Sequence, residues 1–190
     1  MTNLERKTKE TNIKCTVDIN GNGTSKINTG IGFFDHMLEA LSKHSGIDIE
    51  LSCEGDLHID GHHTVEDCGI VLGKALKQEI FPIENVERYG NATVVMDEAA
   101  TTCALDLSNR PFLVYEVNVH GKVGEFDVEL AEEFFHALSG NAGLTVHIIN
   151  ERGRNKHHIL EASFKAFAVA LRRALAKNEK LGVPSTKGVL

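Results

Sequence analysis

No apolar run in this chain approaches the roughly 18–20 residues that a membrane span requires. The amino-terminal stretch MTNLERKTKETN is polar and carries no apolar signal region. Both absences point to a cytoplasmic protein. A basic balance is missing too: 27 acidic residues outnumber 20 Lys and Arg, for a formal net charge of −7. Without a basic patch, nucleic acid is not an expected partner. An anionic small molecule stays open, because local Arg and Lys decide that. Cys15, Cys53, Cys68 and Cys103 form no C-x-x-C pair, so reduced, buried thiols are expected rather than a zinc cage. G-x-x-x-x-G-K-[ST], H-E-x-x-H, G-x-S-x-G and kinase signatures are all lacking.

What is present is a chain of 190 residues, 42% hydrophobic, with ten histidines. That length supports one sizeable core or two small halves packed together. The histidines cluster, and the clusters repeat. His36-Met37-Leu38-Glu39-Ala40-Leu41-Ser42 lies over Glu133-Phe134-Phe135-His136-Ala137-Leu138-Ser139 at an offset of 97. His62-His63-Thr64-Val65-Glu66 lies over His157-His158-Ile159-Leu160-Glu161 at an offset of 95. Two matches in the same order predict a duplicated unit, about 1–85 and 86–180, inside one domain spanning 1–190.

Each half reads strand, strand, helix, strand, loop, helix. Val17-Asp18-Ile19 and Leu105-Asp106-Leu107 alternate as half-buried strands should, and Arg88–Met96 and Phe112–Asn118 add two more. Apolar periodicity predicts helices over Phe34–His44, Thr64–Ile80, Phe126–Leu138 and Ile159–Ala176. Strands and helices mix within each half, so the fold class is α+β.

The chemistry sits in the repeated motif. On a helix, residues i and i+4 share a face, so His62 can grip an ion together with Glu66, and His157 together with Glu161. His63 and His158 are turned about 100° away and reach a second ion or a substrate. Imidazole with carboxylate suits first-row divalent metals such as Mn, Fe, Co and Zn. His36 and Glu133 occupy equivalent positions and extend the set. If the halves pack about a pseudo-twofold axis, each metal takes ligands from both motifs. Asp35 either orients His36 or caps its helix. The isolated His44, His58, His120, His136 and His147 are expected to be structural or solvated. Arg88, Arg110, Arg152, Arg154 and Lys187 are candidate phosphate contacts, although any one of them alone reads as a surface charge.

GFFDHM, HHTVED, the Glu-Phe-Phe segment, HHILEASFKAF and the PSTKGVL tail together resemble the imidazoleglycerol-phosphate dehydratase family, from about Arg6 to the end. The resemblance implies two mixed sheets with paired helices between them, of the ribosomal protein S5 domain 2-like type. It implies dehydration of imidazole glycerol phosphate to imidazole acetol phosphate in histidine biosynthesis, through an enol that tautomerises to the ketone. It also implies two Mn ions per active site, and identical subunits, commonly 24, with active sites at their interfaces. His36, His62, His63, Glu66, Glu133, His157, His158 and Glu161 are similar to the family's metal ligands. Glu133 stands where many members carry His. Glu10 resembles a glutamate that contacts substrate and moves protons, with Glu66 and Glu161 the further catalytic carboxylates. Arg88, Arg110, Ser185, Thr186 and Lys187 resemble the phosphate-binding set, and Lys165 another substrate contact. Two other readings fit the residues: a metal-dependent hydrolase of a small phosphorylated substrate, and a metal-stabilised assembly protein without turnover.

Overall fold

The structure is a computed structural model that describes residues 1–188; Val189 and Leu190, which end the PSTKGVL segment, lie outside it. The first half contains β1 (Thr2–Lys7), β2 (Thr11–Asp18), β3 (Ser25–Asn28), α1 (Gly32–Ser45), β4 (Asp48–Gly55) and α2 (His62–Ile80). The second contains β5 (Tyr89–Met96), β6 (Ala99–Asp106), β7 (Phe112–Glu116), a small hairpin β8 (Lys122–Val123) and β9 (Phe126–Asp127), α3 (Leu130–Ala142), β10 (Thr145–Arg152) and α4 (Lys156–Ala174).

The strand orders are β1-β2-β4-β3 and β5-β6-β10-β7. Both sheets are mixed in the same way. β2 pairs antiparallel with β1 and β4, while β3 lies parallel to β4. Likewise β6 pairs antiparallel with β5 and β10, while β7 lies parallel to β10. Parallel neighbours need a crossover, and α1 and α3 supply it. The inner faces carry Ile13, Cys15, Val17, Ile49, Leu51 and Cys53 in one sheet, and Ala92, Cys103, Leu105, Val146 and Ile148 in the other, all buried. The four helices fill the space between. Among the described residues, no helix is long and apolar enough to cross a membrane.

Helix ends follow the repeated residues. Gly46 and Gly143 adopt left-handed backbones, φ 77° and 73°, and donate their N–H groups to Ser42 and Ser139. Asn155 caps α4 by accepting from the backbone of His157 and His158. The third helix starts later than its periodicity predicts. Phe126 and Asp127 pair with Val123 and Lys122, and the Val128 N–H donates to the Gly121 carbonyl, so the apolar rhythm there belongs to a hairpin. β1 and β3 are polar edge strands that alternation of apolar residues does not mark.

The helices pair across the halves, α1 with α4 and α2 with α3. The two pairs differ in closeness. A Cβ on Gly69 would fall 2.8 Å from the Phe134 carbonyl oxygen, and one on Gly73 would fall 2.6 Å from that of Leu138. These two glycines therefore let the backbones of α2 and α3 touch. The equivalent positions on α4 are Phe164 and Ala168, and Phe164 instead stacks in an aromatic cluster with Phe134 and Phe135, ring centroids 5.4 and 4.7 Å away.

Candidate metal centre and anion pocket

The α1–α4 pairing brings His36 from the first half to His157 and Glu161 from the second. Their donor atoms all lie within 4.8 Å of one another. Glu161 Oε2 is 2.9 Å from His157 Nε2 and 3.5 Å from His36 Nε2. Donors about 2.1 Å from one ion stand roughly 3.0–3.4 Å apart, and the two Glu161 separations lie about 0.1 Å either side of that range. Two imidazoles with one carboxylate also suit a borderline divalent metal chemically. The other carboxylate oxygen, Oε1, is 2.7 Å from Lys165 Nζ. Burial pushes the Glu161 carboxyl up, but Lys165, then His157 and His36, outweigh it and hold it below the usual range. Glu161 is thus a buried anion with one oxygen facing the imidazoles.

The mirror group is looser. His62 Nε2 and Glu66 Oε2 are 3.9 Å apart, both about half exposed. Glu133 is partly buried on α3, and among the described residues it does not close with them into a three-donor set.

His63 and His158 are held differently from their neighbours. His63 Nδ1 lies 2.9 Å from Asp56 Oδ2, and His158 Nδ1 lies 2.8 Å from Glu98 Oε2. Each carboxylate raises the pKa of its imidazole. A carboxylate on Nδ1 fixes the tautomer and leaves Nε2 as the donor, an arrangement common behind metal-bound imidazoles. Glu98 Oε1 also accepts from the backbone N–H groups of Asn155 at 2.7 Å and Arg154 at 2.9 Å. The Asn155 contact, then His158 and Arg154, pull the Glu98 carboxyl down to about 2. Glu10 sits on the β1–β2 turn with Oε1 3.8 Å from His63 Nε2. Sequence reasoning missed Asp56 and Glu98. The Val17/Leu105 strand match maps Glu10 onto Glu98, a signal that would have found the latter. Asp35 does not orient His36; its Oδ1 accepts from the Thr29 backbone at 2.8 Å and from the Thr29 hydroxyl, fixing the entry to α1.

A second feature lies elsewhere. Arg88, Arg110, Ser185, Thr186 and Lys187 line one cavity of about 760 Å³, with Ser108 and Asn109. Arg88 is buried at 8% exposure and its backbone is left-handed, φ 70°. Such a conformation costs a non-glycine residue about 1 kcal/mol or more, and persists where surroundings over-determine it. Here Nε and Nη2 donate to Asp106 at 2.7 and 3.0 Å, and Nη1 donates to the Pro184 carbonyl at 2.7 Å. Arg88 therefore anchors the tail that brings Ser185–Lys187 to the cavity. Lys165 does not line it.

Residues 29–171 match the family described as imidazoleglycerol-phosphate dehydratase. The chain is 83% identical to the imidazoleglycerol-phosphate dehydratase of Aliarcobacter butzleri and 60% identical to that of Wolinella succinogenes, in both cases over 100% of each chain. It superimposes on the Staphylococcus aureus enzyme with a TM-score of 0.83 at 40% identity, covering 94% of this chain and 100% of that one. For the Pyrococcus furiosus enzyme in complex with (S)-C348, the TM-score is 0.85 at 38% identity, covering 98% and 100%. With this fold and this His/Glu cluster, the chain belongs to the imidazoleglycerol-phosphate dehydratase family.

Proposed function

We propose that this chain is a metal-dependent hydro-lyase that converts D-erythro-imidazole glycerol phosphate into imidazole acetol phosphate and water, a late step of L-histidine biosynthesis in the cytoplasm. The observation that carries the metal dependence is the convergence of His36, His157 and Glu161, in a chain of this family. These three hold one divalent cation; His62, Glu66 and Glu133 hold a second, and Mn is the proposed metal at both. His63 and His158, braced at Nδ1 by Asp56 and Glu98, supply further donors to a neighbouring subunit. Among the described residues, no proposed metal ligand lines the anion cavity, which supports active sites assembled between identical subunits, with 24 as the proposed number.

When bound, the cations supply Lewis acidity toward the imidazole ring and a substrate oxygen. The chain's residues do the rest. Arg110, Ser185, Thr186 and Lys187, with Arg88 bracing the tail, grip the phosphate, so binding energy far from the reacting carbons positions them. Lys165 contacts the substrate as well as neutralising Glu161. The carboxylates of Glu66 and Glu161 offset positive charge at the reacting end. Glu10 moves a proton as the hydroxyl leaves, and the enol then tautomerises to the ketone.

Purified protein with imidazole glycerol phosphate is expected to yield a ketone without inorganic phosphate, and to stop on chelation. Release of phosphate would instead assign a hydrolase, and metal-dependent assembly without turnover would assign a structural role. Glu10→Gln is expected to keep its metal and lose most of its turnover; near-wild-type turnover removes Glu10 from proton transfer.

A further inference from the structure

The HHTVED segment contains an acid that none of the chemistry above uses. Asp67 follows Glu66 on α2 but is buried, 6% exposed. It lies one helical turn beyond His63, so His63 and Asp67 share a stripe of α2, as His62 and Glu66 share another. A buried carboxylate needs partners. Among the described residues Asp67 has two, and both come from the first hairpin. Arg6, near the end of β1, forms an ion pair with Oδ2, and the hydroxyl of Thr11, first residue of β2, donates to the same oxygen.

Between Arg6 and Thr11 lies the turn that carries Glu10. That turn is closed on itself: the Thr8 hydroxyl accepts from the backbone of Glu10 at 3.1 Å and of Thr11 at 3.0 Å, and the Thr8 N–H donates to the Thr11 carbonyl. Its far side is tied down as well. The Asp56 N–H donates to the Glu10 carbonyl at 3.1 Å, and the Asp56 carboxylate holds His63. The contacts form a closed circuit, from Glu10 through Asp56 to His63, along α2 to Asp67, and back through Arg6 and Thr11 to the turn. The second half has no equivalent, since the matching position is Ala162.

We propose that Asp67 is a positioning residue, which through Arg6 and Thr11 fixes the Glu10 turn against the His63 edge of α2. It touches neither metal nor substrate. This rests on the proton-transfer role given above to Glu10, so the test includes a measurement independent of that role.

The assembled, metal-loaded protein is compared with Asp67→Ala, Glu10→Gln and the double variant. Asp67→Ala is expected to lower kcat at least tenfold, with KM and metal content within twofold of wild type. The double variant is expected to be no slower than Glu10→Gln, because both changes remove one function. Hydrogen exchange at residues 8–11 is expected to quicken in Asp67→Ala while the α4 amides stay protected. Should Asp67→Ala fail to assemble, Arg6→Gln, at a side chain about a third exposed, carries the same measurements. Multiplicative losses of kcat in the double variant, or unchanged exchange at residues 8–11, overturn the proposal. If wild type itself has no dehydratase activity, the functional reading fails and the exchange measurement alone decides the clamp.

Discussion

Two glycines on facing helices should respond to the same substitution with opposite signs. Gly73 on α2 meets the backbone of α3: an added Cβ would sit 2.6 Å from the Leu138 carbonyl oxygen, 2.9 Å from Asn141 Cβ and 3.1 Å from the Ala142 nitrogen. Ordinary contact begins near 3.4 Å. The helices must separate by several tenths of an ångström, and backbone atoms cannot rotate out of the way. Overpacking of this kind costs about 1–3 kcal/mol. Alanine regains about 1 kcal/mol of helix propensity over glycine. With rigid neighbours the cost wins, and Gly73→Ala should lose up to about 2 kcal/mol. Gly140 on α3 has nothing within 4 Å of its added Cβ and is exposed, so only the propensity remains and Gly140→Ala should gain up to about 1 kcal/mol. Thermal midpoints of the two variants, measured at one protein concentration and metal loading, bracket wild type if this is right. The separation should also weaken metal binding at His62, Glu66 and Glu133, which α2 and α3 carry, and spare the set on α1 and α4. A midpoint for Gly73→Ala at or above that of wild type refutes the close-packing argument.

Other consequences follow from the site. Glu98→Ala removes the acceptor for His158 Nδ1 and should weaken metal affinity about 10–100-fold in chelator competition, whereas wild-type affinity would show that the imidazole needs no brace. His36→Ala should cost one metal per chain by elemental analysis, and an unchanged count would remove it from the donor set. Arg88→Lys loses the two-pronged grip on Asp106 and the tail carbonyl, so KM should rise several-fold and proteolysis near residue 184 should quicken; an unchanged cleavage pattern would refute the anchoring role. Asp48 accepts backbone N–H groups from Thr24 and Asn22, which depress its pKa. A depressed folded-state pKa stabilises above the ordinary carboxylate value of about 3.9 and stops stabilising as pH falls through the folded value. Asp48→Asn should therefore melt earlier than wild type at pH 7 and converge with it in acid; a constant gap across the titration would contradict this.

The sequence reveals those parts of the molecule that the repeat writes twice. The α+β class, α1, α2 and α4, and the pairing of His157 with Glu161 on one helix face follow from aligned motifs with a helical period; that His36 joins them depends on which helices pack together, which the motifs do not say. The third helix was misplaced because Phe126 mimics that period while its backbone pairs with Val123. The pattern counts two strands before α1 where there are three, because the polar edge strands β1 and β3 have no apolar alternation to betray them. Asp56, Glu98 and Asp67 escaped for a different reason. Their partners lie on other elements, and a carboxylate's task depends on which imidazole or guanidinium the fold delivers to it. Asp106 illustrates the same limit: it reads as the polar position of a strand, and only its contact with Arg88 makes it a support for the tail.

The crossed helix pairing has a consequence for ancestry. The main helix pairing crosses the halves; α1 leans on α4 and α2 on α3, so a half-length polypeptide would expose one face of each helix and leave its imidazole donors incomplete. A primordial single-copy version could bury those surfaces only by embracing its twin, as a twofold-symmetric pair. Fusion would then have freed the two copies to diverge, and Gly69 and Gly73 opposite Phe164 and Ala168 mark where they did.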